Sequence, residues 1–222
     1  RMTSSRGVNI PPDKFIHIAE ETALINELGD KIFAQIMKDI ELWLRIGVRL
    51  QKVSINISRV QLHKLLVEKI QKACIEKKIP PSLLCVEVTE SAVMGNVENA
   101  IKVLWELKNM GVAVALDDFG TGESSLAQLR SLPIDIVKLD RDFAVGADTP
   151  TGWALLEGVI HLCNIMGQAI VAEGVETETL AERLHTAGVI WGQGYLYSHP
   201  LPFDEITHKL ENQKLDKLDK KI

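Results

Sequence analysis

The sequence predicts an α/β fold in which short strands alternate with helices and build a parallel sheet. Three observations lead to this prediction: short apolar runs recur along the chain, amphipathic segments separate them, and polar residues recur where the runs end. The 222 residues suit one domain with a single large core. We expect a barrel domain over residues 1–210 and a polar helical tail over residues 211–222.

Six apolar runs are the predicted strands, because each is short and most are followed by a segment with helical periodicity. None approaches the ~20 apolar residues that a membrane-spanning helix needs, so we expect no membrane contact from this chain. In chain order the runs are "VSINIS" at 53–58, "LCVEVTE" at 84–90, "VAVALDDF" at 112–119, "IDIVKLD" at 134–140, "AIVAEGV" at 169–175 and "VIWGQGYL" at 189–196.

The segments between the runs are predicted helices. Two of them, "VENAIKVLWELKNMG" and "TETLAERLHTAG", carry apolar residues at three- and four-residue spacing. They end on Gly111 and Gly188, the residue type that most readily adopts the left-handed conformation closing many helices. The pattern therefore predicts helices with glycine caps directly before two of the strands.

Composition favours a protein of the reducing cytoplasm that does not bind DNA or RNA. The formal net charge is −5 and the pI is near 5.7, which gives no reason to expect a broad basic surface. Cys74, Cys85 and Cys163 are odd in number and lack the CxxC spacing, so neither a disulfide framework nor a thiolate zinc site is indicated.

Polar side chains fall in the second half of the predicted strands or just beyond them. In a TIM-like (β/α)8 barrel, the carboxyl ends of the strands converge on one mouth, where catalytic groups gather. Burying several unpaired carboxylates there costs several kcal/mol each, so a cation must neutralise them. The residues concerned are Asn56, Glu87, Asp117, Asp118, Lys138, Glu173 and Gln193.

The acids and the amide offer only oxygen ligands, which suits two divalent cations, Mg²⁺ or Mn²⁺, better than zinc. Strand alternation predicts that Asp117 and Asp118 point to different sides, so that one bridges two ions and its neighbour binds only the second. Two ions about 3.5–4 Å apart would clamp the attacking and leaving oxygens of a phosphoryl displacement. Lys138 would hold the water or neutralise a phosphate oxygen.

Seven segments resemble one known family, and the resemblance covers nearly the whole chain, from about Arg1 to Phe203. They are "FIHIAEETALI", "VSINIS", "VEVTES", "ALDDFGTGESSL", "LPIDIVKLDRDF", "VAEGVET" and "GQGYLYSHPLP". Their order and spacing are similar to those of EAL domains, bacterial phosphodiesterases that linearise the second messenger cyclic di-GMP. The resemblance implies an EAL-type barrel and metal-dependent hydrolysis of one phosphodiester bond to give the linear dinucleotide.

The resemblance also implies a role for each matching residue. Asn56 and Glu87 match ligands of the first metal ion. Asp117 matches the carboxylate that bridges both ions, and Asp118 matches a ligand of the second. Glu173 matches a residue that binds the second ion or transfers a proton. Two further matches are Lys138, which would orient the attacking water, and Gln193, which would line the substrate pocket.

Two more acids match supporting residues of the family. Glu90 resembles a glutamate that tethers the loop after "DDFG", and Glu176 resembles a supporting acid. Each could instead be a surface acid that opens the next helix, where the helix dipole favours a negative charge. The chain also departs from the family at Glu123, where an aromatic residue is usual.

The segment that gives the family its name is absent from this sequence. Family barrels begin with two strands before the equivalent of "VSINIS", and the second of these strands carries Glu-Ala-Leu followed by Leu-Arg. We therefore expect Arg1 to match that arginine, a phosphate contact, with two barrel strands and a metal-ligating glutamate upstream. A naturally shortened barrel is the alternative.

Two functions remain open on these grounds. The first is a cyclic di-GMP phosphodiesterase, favoured because every matchable acid is present. The second is a cyclic di-GMP receptor that binds the messenger without turnover. In either case the resemblance implies a homodimer, and attachment to sensory or GGDEF domains in the full protein.

Overall fold

A computed structural model describes residues 2–3, 7–22, 24–120 and 130–219. The chain begins with strands β1 (Met2–Thr3) and β2 (Asn9–Ile10), which pair antiparallel. The sequence does not predict this small sheet, because two-residue strands carry no periodicity. Arg1 and Glu123 lie outside the described residues.

Among the described residues, the main sheet has six strands in the order β3-β4-β5-β6-β7-β8, and all neighbouring pairs are parallel. The alternation of strands with helices confirms the predicted α/β fold with a parallel sheet. The strands are β3 (Val53–Asn56), β4 (Leu84–Thr89), β5 (Ala113–Phe119), β6 (Ile136–Leu139), β7 (Ala169–Ala172) and β8 (Trp191–Gly192).

Nine α-helices are present among the described residues, together with short 3-10 turns at Arg59–Gln61 and Pro81–Leu83. Most of them connect consecutive strands of the sheet, as parallel pairing requires. The helices are α1 (Pro12–Glu21), α2 (Ile25–Arg45), α3 (Lys64–Lys77), α4 (Glu90–Met94), α5 (Val97–Asn109), α6 (Arg141–Gly146), α7 (Pro150–Ile165), α8 (Glu178–Thr186) and α9 (Phe203–Asp219).

Glycine caps close the two helices for which the sequence predicts them. Gly111 and Gly188 have φ of 90° and 99°, in the left-handed region. The next residues, Val112 and Val189, donate their backbone N–H groups to Leu107 and Leu184. These hydrogen bonds are part of the helix ends. Val112 and Val189 therefore lie before the strands in which the sequence analysis placed them. The strands predicted at 112–119 and 189–196 therefore begin earlier than the observed strands β5 and β8.

The helix-facing side of the sheet forms the main core. Leu84, Val86 and Val88 alternate along β4 and are almost fully buried, as is Val114 on β5. The opposite side of the same strands has a small separate cluster, in which Cys85, Ala113, Ala115 and Ile136 pack together. Beyond this cluster, toward the carboxyl ends, the side chains become polar.

The C-terminal helix α9 packs on α2 near the other end of the sequence. The indole N–H of Trp43 donates to Thr207 Oγ1 over 2.8 Å, and the Trp43 ring stacks on Phe203 with centroids 5.4 Å apart. Helix α9 runs without a break across residues 210 and 211, where the sequence predicts the barrel domain to end. The position of that domain boundary stays a prediction.

Candidate active site

Lys138 lies at the centre of a group of carboxylates at the carboxyl ends of the strands. Its Nζ is 2.8 Å from Glu87 Oε2, 2.8 Å from Asp117 Oδ1 and 2.7 Å from Glu173 Oε1. Only 5% of Lys138 is exposed to solvent. An ammonium has three N–H donors, so these three carboxylates satisfy all of them.

Strand register explains why these residues meet. Glu87 is two residues after Cys85 on β4, and Asp117 is two residues after Ala115 on β5, so both share the face of the small apolar cluster. Lys138 follows Ile136 on β6 in the same way. Glu173 comes directly after β7, and its backbone N–H bonds to Leu139 O. The structure therefore brings together four of the seven residues that the sequence places at the strand ends.

Asp118 departs from the strand alternation that the sequence predicts. Its φ is 53°, in the left-handed region, and the pairing of β5 with β6 shifts register between Leu116 and Phe119. A shift of this kind re-aims side chains. The carboxylates of Asp117, Asp118 and Glu173 each offer an oxygen within 4.8 Å of the others, so the two aspartates serve one cluster. The prediction that Asp117 and Asp118 point to different sides is therefore wrong.

Burial and the negative charges of neighbouring carboxylates raise the pKa values of Asp118 and Glu173. Burial, followed by the charges of Asp117 and Asp140, raises the pKa of Asp118. Burial also raises the pKa of Glu173, although its hydrogen bond to Lys138 acts in the opposite direction. Burial is the largest cause of both shifts, because it disfavours the charged carboxylate.

For Lys138, burial alone would lower the pKa, because it disfavours the charged ammonium. The hydrogen bonds to the three carboxylates outweigh burial and raise the pKa above its usual value. Lys138 therefore stays protonated at neutral pH. One lysine therefore lies among four carboxyl groups, those of Glu87, Asp117, Asp118 and Glu173.

The donor set fits a hard divalent cation. Asp117, Asp118 and Glu173 supply carboxylate oxygens that converge closely enough for one ion. Asn56 is the register partner of Glu87 on the neighbouring strand, and its side chain is exposed. Neither cysteine nor histidine belongs to this convergent group, which disfavours zinc.

Glu90 is buried beside this group, which argues against its being a surface acid. It is the first residue of α4, is 6% exposed, and accepts a 3.2 Å hydrogen bond at Oε1 from the backbone N–H of Gly120. Its Oε2 is buried without a partner among the described residues. Gly120 has φ of 97° and packs against the Phe143 ring so closely that a Cβ would lie 2.4 Å from it.

Glu176 and Gln193 lie outside the buried group. Glu176 is exposed and forms a 2.9 Å ion pair with Arg141, whose side chain also packs on Gly174. Gln193 is exposed and pairs with β7 through its backbone, since its N–H bonds to Ala172 O. The residues that bond to Lys138 are Glu87, Asp117 and Glu173, and thus neither Glu176 nor Gln193. Arg1, the remaining predicted contact, lies outside the described residues.

Asp140 is a neighbour of the site that the sequence patterns did not single out. It follows β6 two residues after Lys138, and its charge contributes to the raised pKa of Asp118. Its side chain also caps α6, with Oδ1 accepting a 2.7 Å hydrogen bond from Asp142 N. The pattern that could have identified Asp140 is "KLD", in which an acid again lies at the end of a predicted strand. An acid in this position is equally typical of a helix cap.

Comparison with known proteins shows which family this sequence is similar to. The family model described as EAL domain matches residues 1–200. A bifunctional diguanylate cyclase/cyclic di-GMP phosphodiesterase, MucR of Pseudomonas aeruginosa, is 35% identical over 200 residues, or 89% of this chain and 29% of that protein. The cyclic di-GMP phosphodiesterase PdeB of Shewanella oneidensis is 33% identical over 218 residues, or 96% of this chain and 25% of that protein.

A solved structure agrees with these sequence matches. The PaMucR phosphodiesterase in complex with c-di-GMP superposes with a TM-score of 0.87 at 34% identity, covering 93% of this chain and 84% of that one. The superposition confirms the predicted TIM-like α/β fold of the EAL type. The chain spans only 29% and 25% of the length of the two curated relatives.

Proposed function

The chain belongs to the EAL domain family, and we propose that it is a phosphodiesterase that hydrolyses one phosphodiester bond of cyclic di-GMP. Water attacks one phosphorus atom, one ester P–O bond breaks, and the linear dinucleotide is released. The observation that supports this proposal most directly is the buried lysine among three carboxylates, with Asp118 alongside, at the carboxyl ends of parallel strands. Such strand ends carry the catalytic groups of TIM-like enzymes.

Two divalent cations, Mg²⁺ or Mn²⁺, would be held by the oxygen ligands of the site. Such ions, when bound, activate water and stabilise the charge that develops on the phosphate. Asp117, Asp118 and Glu173 fit one ion by the convergence of their carboxylates, and Asn56 and Glu87 are the proposed ligands of another.

Lys138 and Glu173 are the proposed catalytic groups of the chain itself. Lys138 presents a charged ammonium in the middle of the acids, where it would hold a water molecule or pair with a phosphate oxygen in exchange for one of its carboxylate bonds. Glu173 is half-buried, and its raised pKa suits a residue that takes up and returns a proton. Both roles require the substrate phosphate to lie over this group of side chains.

Supporting roles are proposed for three residues around the group. Glu90 holds the start of the segment after β5 through its bond to Gly120 N. Glu176 fixes Arg141 at the start of α6, next to Asp140. Gln193 is proposed to contact the substrate from the exposed end of the sheet, and Arg1 is proposed to contact a phosphate.

The attached domains, the oligomeric state and the cellular location of the protein are also proposals. The relatives are much longer than this chain, which supports attachment to further signalling domains such as sensory or GGDEF domains. None of the helices in the described part of the chain is long and apolar enough to cross a bilayer. We propose a homodimer that works in the cytoplasm on a soluble nucleotide and not on DNA or RNA.

Incubation of the protein with cyclic di-GMP and Mg²⁺ or Mn²⁺, followed by chromatography, tests the proposal. The expected result is conversion to the linear dinucleotide, with no conversion in excess chelator. Binding of cyclic di-GMP without turnover in either metal would instead support the receptor function. Absence of both binding and turnover would contradict both functions.

A further inference from the structure

Lys138 links carboxylates that come from separate parts of the chain. Its three N–H donors bond to Glu87, Asp117 and Glu173, which come from three different strands or strand ends. Glu87 is almost as buried as the lysine, with 7% of the residue exposed. Removing one partner of a buried ion pair leaves an uncompensated charge at high cost, so these acids depend on the ammonium.

The same lysine bonds to two of the acids that a divalent ion would need. Asp117 and Glu173 are two of the three acids whose carboxylate oxygens converge within 4.8 Å. The ammonium bonds to Asp117 Oδ1 and to Glu173 Oε1. A divalent ion at this cluster would bind two carboxylates whose charge is already paired with the ammonium, and it is repelled by the positive charge beside it.

We propose that Lys138 is a built-in counter-ion that keeps the site assembled before divalent cations bind and competes with them for Asp117 and Glu173. The inference rests on the proposed function, since it concerns the loading of the same site. It differs from a role in orienting water alone, because a water-orienting lysine has no reason to weaken metal binding. Metal affinity without substrate therefore separates the two roles.

The test is a calorimetric titration of Mn²⁺ alone into the wild-type protein and two variants. Lys138→Gln removes the charge and keeps a polar side chain. Lys108→Gln is the matched control, because Lys108 forms a single 2.7 Å ion pair with Asp135, at the opposite end of β6, with both side chains partly exposed. Circular dichroism in the presence of Mn²⁺ verifies that each variant is folded.

We expect Lys138→Gln to bind Mn²⁺ at least about tenfold more tightly than the wild type, which corresponds to about 1.4 kcal/mol. Lys108→Gln should bind Mn²⁺ like the wild type. Unchanged or weaker binding by Lys138→Gln would overturn the inference.

Thermal unfolding gives a second, independent readout. In excess chelator, Lys138→Gln should unfold at least about 5 °C below the wild type, because three acids lose their counter-ion. Saturating Mn²⁺ should remove most of this difference. A variant that folds only after Mn²⁺ is added supports the inference equally.

A second neutral variant, Lys138→Met, keeps the test decisive if Lys138→Gln does not fold. Should neither neutral variant fold even in saturating Mn²⁺, the lysine is needed after loading as well, and the competition is refuted. If Lys138→Gln binds Mn²⁺ with unchanged affinity and the wild-type protein hydrolyses cyclic di-GMP, only this inference is refuted. If Lys138→Gln binds Mn²⁺ more tightly and the wild-type protein leaves cyclic di-GMP intact, only the proposed hydrolysis is refuted.

Discussion

The two faces of the six-stranded sheet are stabilised in different ways. On the helix-facing side, residues such as Val86, Val114 and Leu139 are at most 1% exposed and pack against apolar helix side chains. On the other side, Lys138 is nearly as buried but is surrounded by carboxylates. Burial of apolar area stabilises the first face under most conditions, whereas the second depends on matched charges.

This difference separates stability from function within a single strand. Along β6, Val137 and Leu139 belong to the main core, while Lys138 between them belongs to the candidate active site. Changes on the helix-facing side should therefore lower the free energy of unfolding and leave metal dependence alone. Changes on the charged side should affect catalysis and metal binding first.

The largest expected effect is on the charged face. Asp117→Asn in the folded protein should lower the rate of cyclic di-GMP hydrolysis at least ~10²-fold, because the proposed bridging carboxylate loses its charge. Chromatographic rates, with circular dichroism for the fold, measure this. Asp148→Asn, at an exposed position after α6, is the control and should keep the wild-type rate. Equal rates in both variants would contradict the ligand assignment.

The helix-facing side should respond in stability instead. Leu104 on α5 is fully buried, so Leu104→Ala should lower the free energy of unfolding by about 2–5 kcal/mol. Leu65→Ala, at a residue 64% exposed on α3, should change it by less than about 0.5 kcal/mol. Urea unfolding measures both. If Leu104→Ala abolished Mn²⁺ binding while still folded, the two faces would not be independent.

Divalent ions should stabilise the charged face specifically. At Mn²⁺ concentrations about 100-fold above the dissociation constant, the free energy of unfolding should rise by about 2.7 kcal/mol. Thermal unfolding with and without chelator measures the rise. Leu104→Ala should retain the increment and Asp117→Asn should lose most of it. An equal increment in both variants would place the ion elsewhere.

The smallest expected effect concerns a turn that joins helix to strand. Gly111 has φ of 90°, and a Cβ added there would meet no atom within 4 Å, so Gly111→Ala should cost about 1–2 kcal/mol from backbone strain alone. Gly158 in α7 has equal space and no positive φ. Gly158→Ala should therefore stabilise by about 0.4–1 kcal/mol. Opposite signs for the two variants, at unchanged hydrolysis, are the expected outcome of urea unfolding.

Much of the arrangement follows from local sequence patterns. Glycine caps at Gly111 and Gly188 and the alternation of strands and helices are properties of short segments, and the structure agrees with both. The two-residue period of a strand also puts Glu87, Asp117 and Lys138 on one face. The strand ends were less predictable, because an apolar residue such as Val189 can complete a helix cap before the strand begins.

The order of residues along the chain is enough to specify the parallel fold and the polar residues at its carboxyl edge, because periodicity and capping act over a few neighbouring residues. The pairing of those polar residues depends on the folded chain. The bond from Lys138 to Glu87 joins residues 51 apart, and the bond from Gly120 to Glu90 joins residues 30 apart. The left-handed conformation of Asp118 likewise depends on the register shift against β6. Such contacts arise from packing between strands, which no short segment encodes.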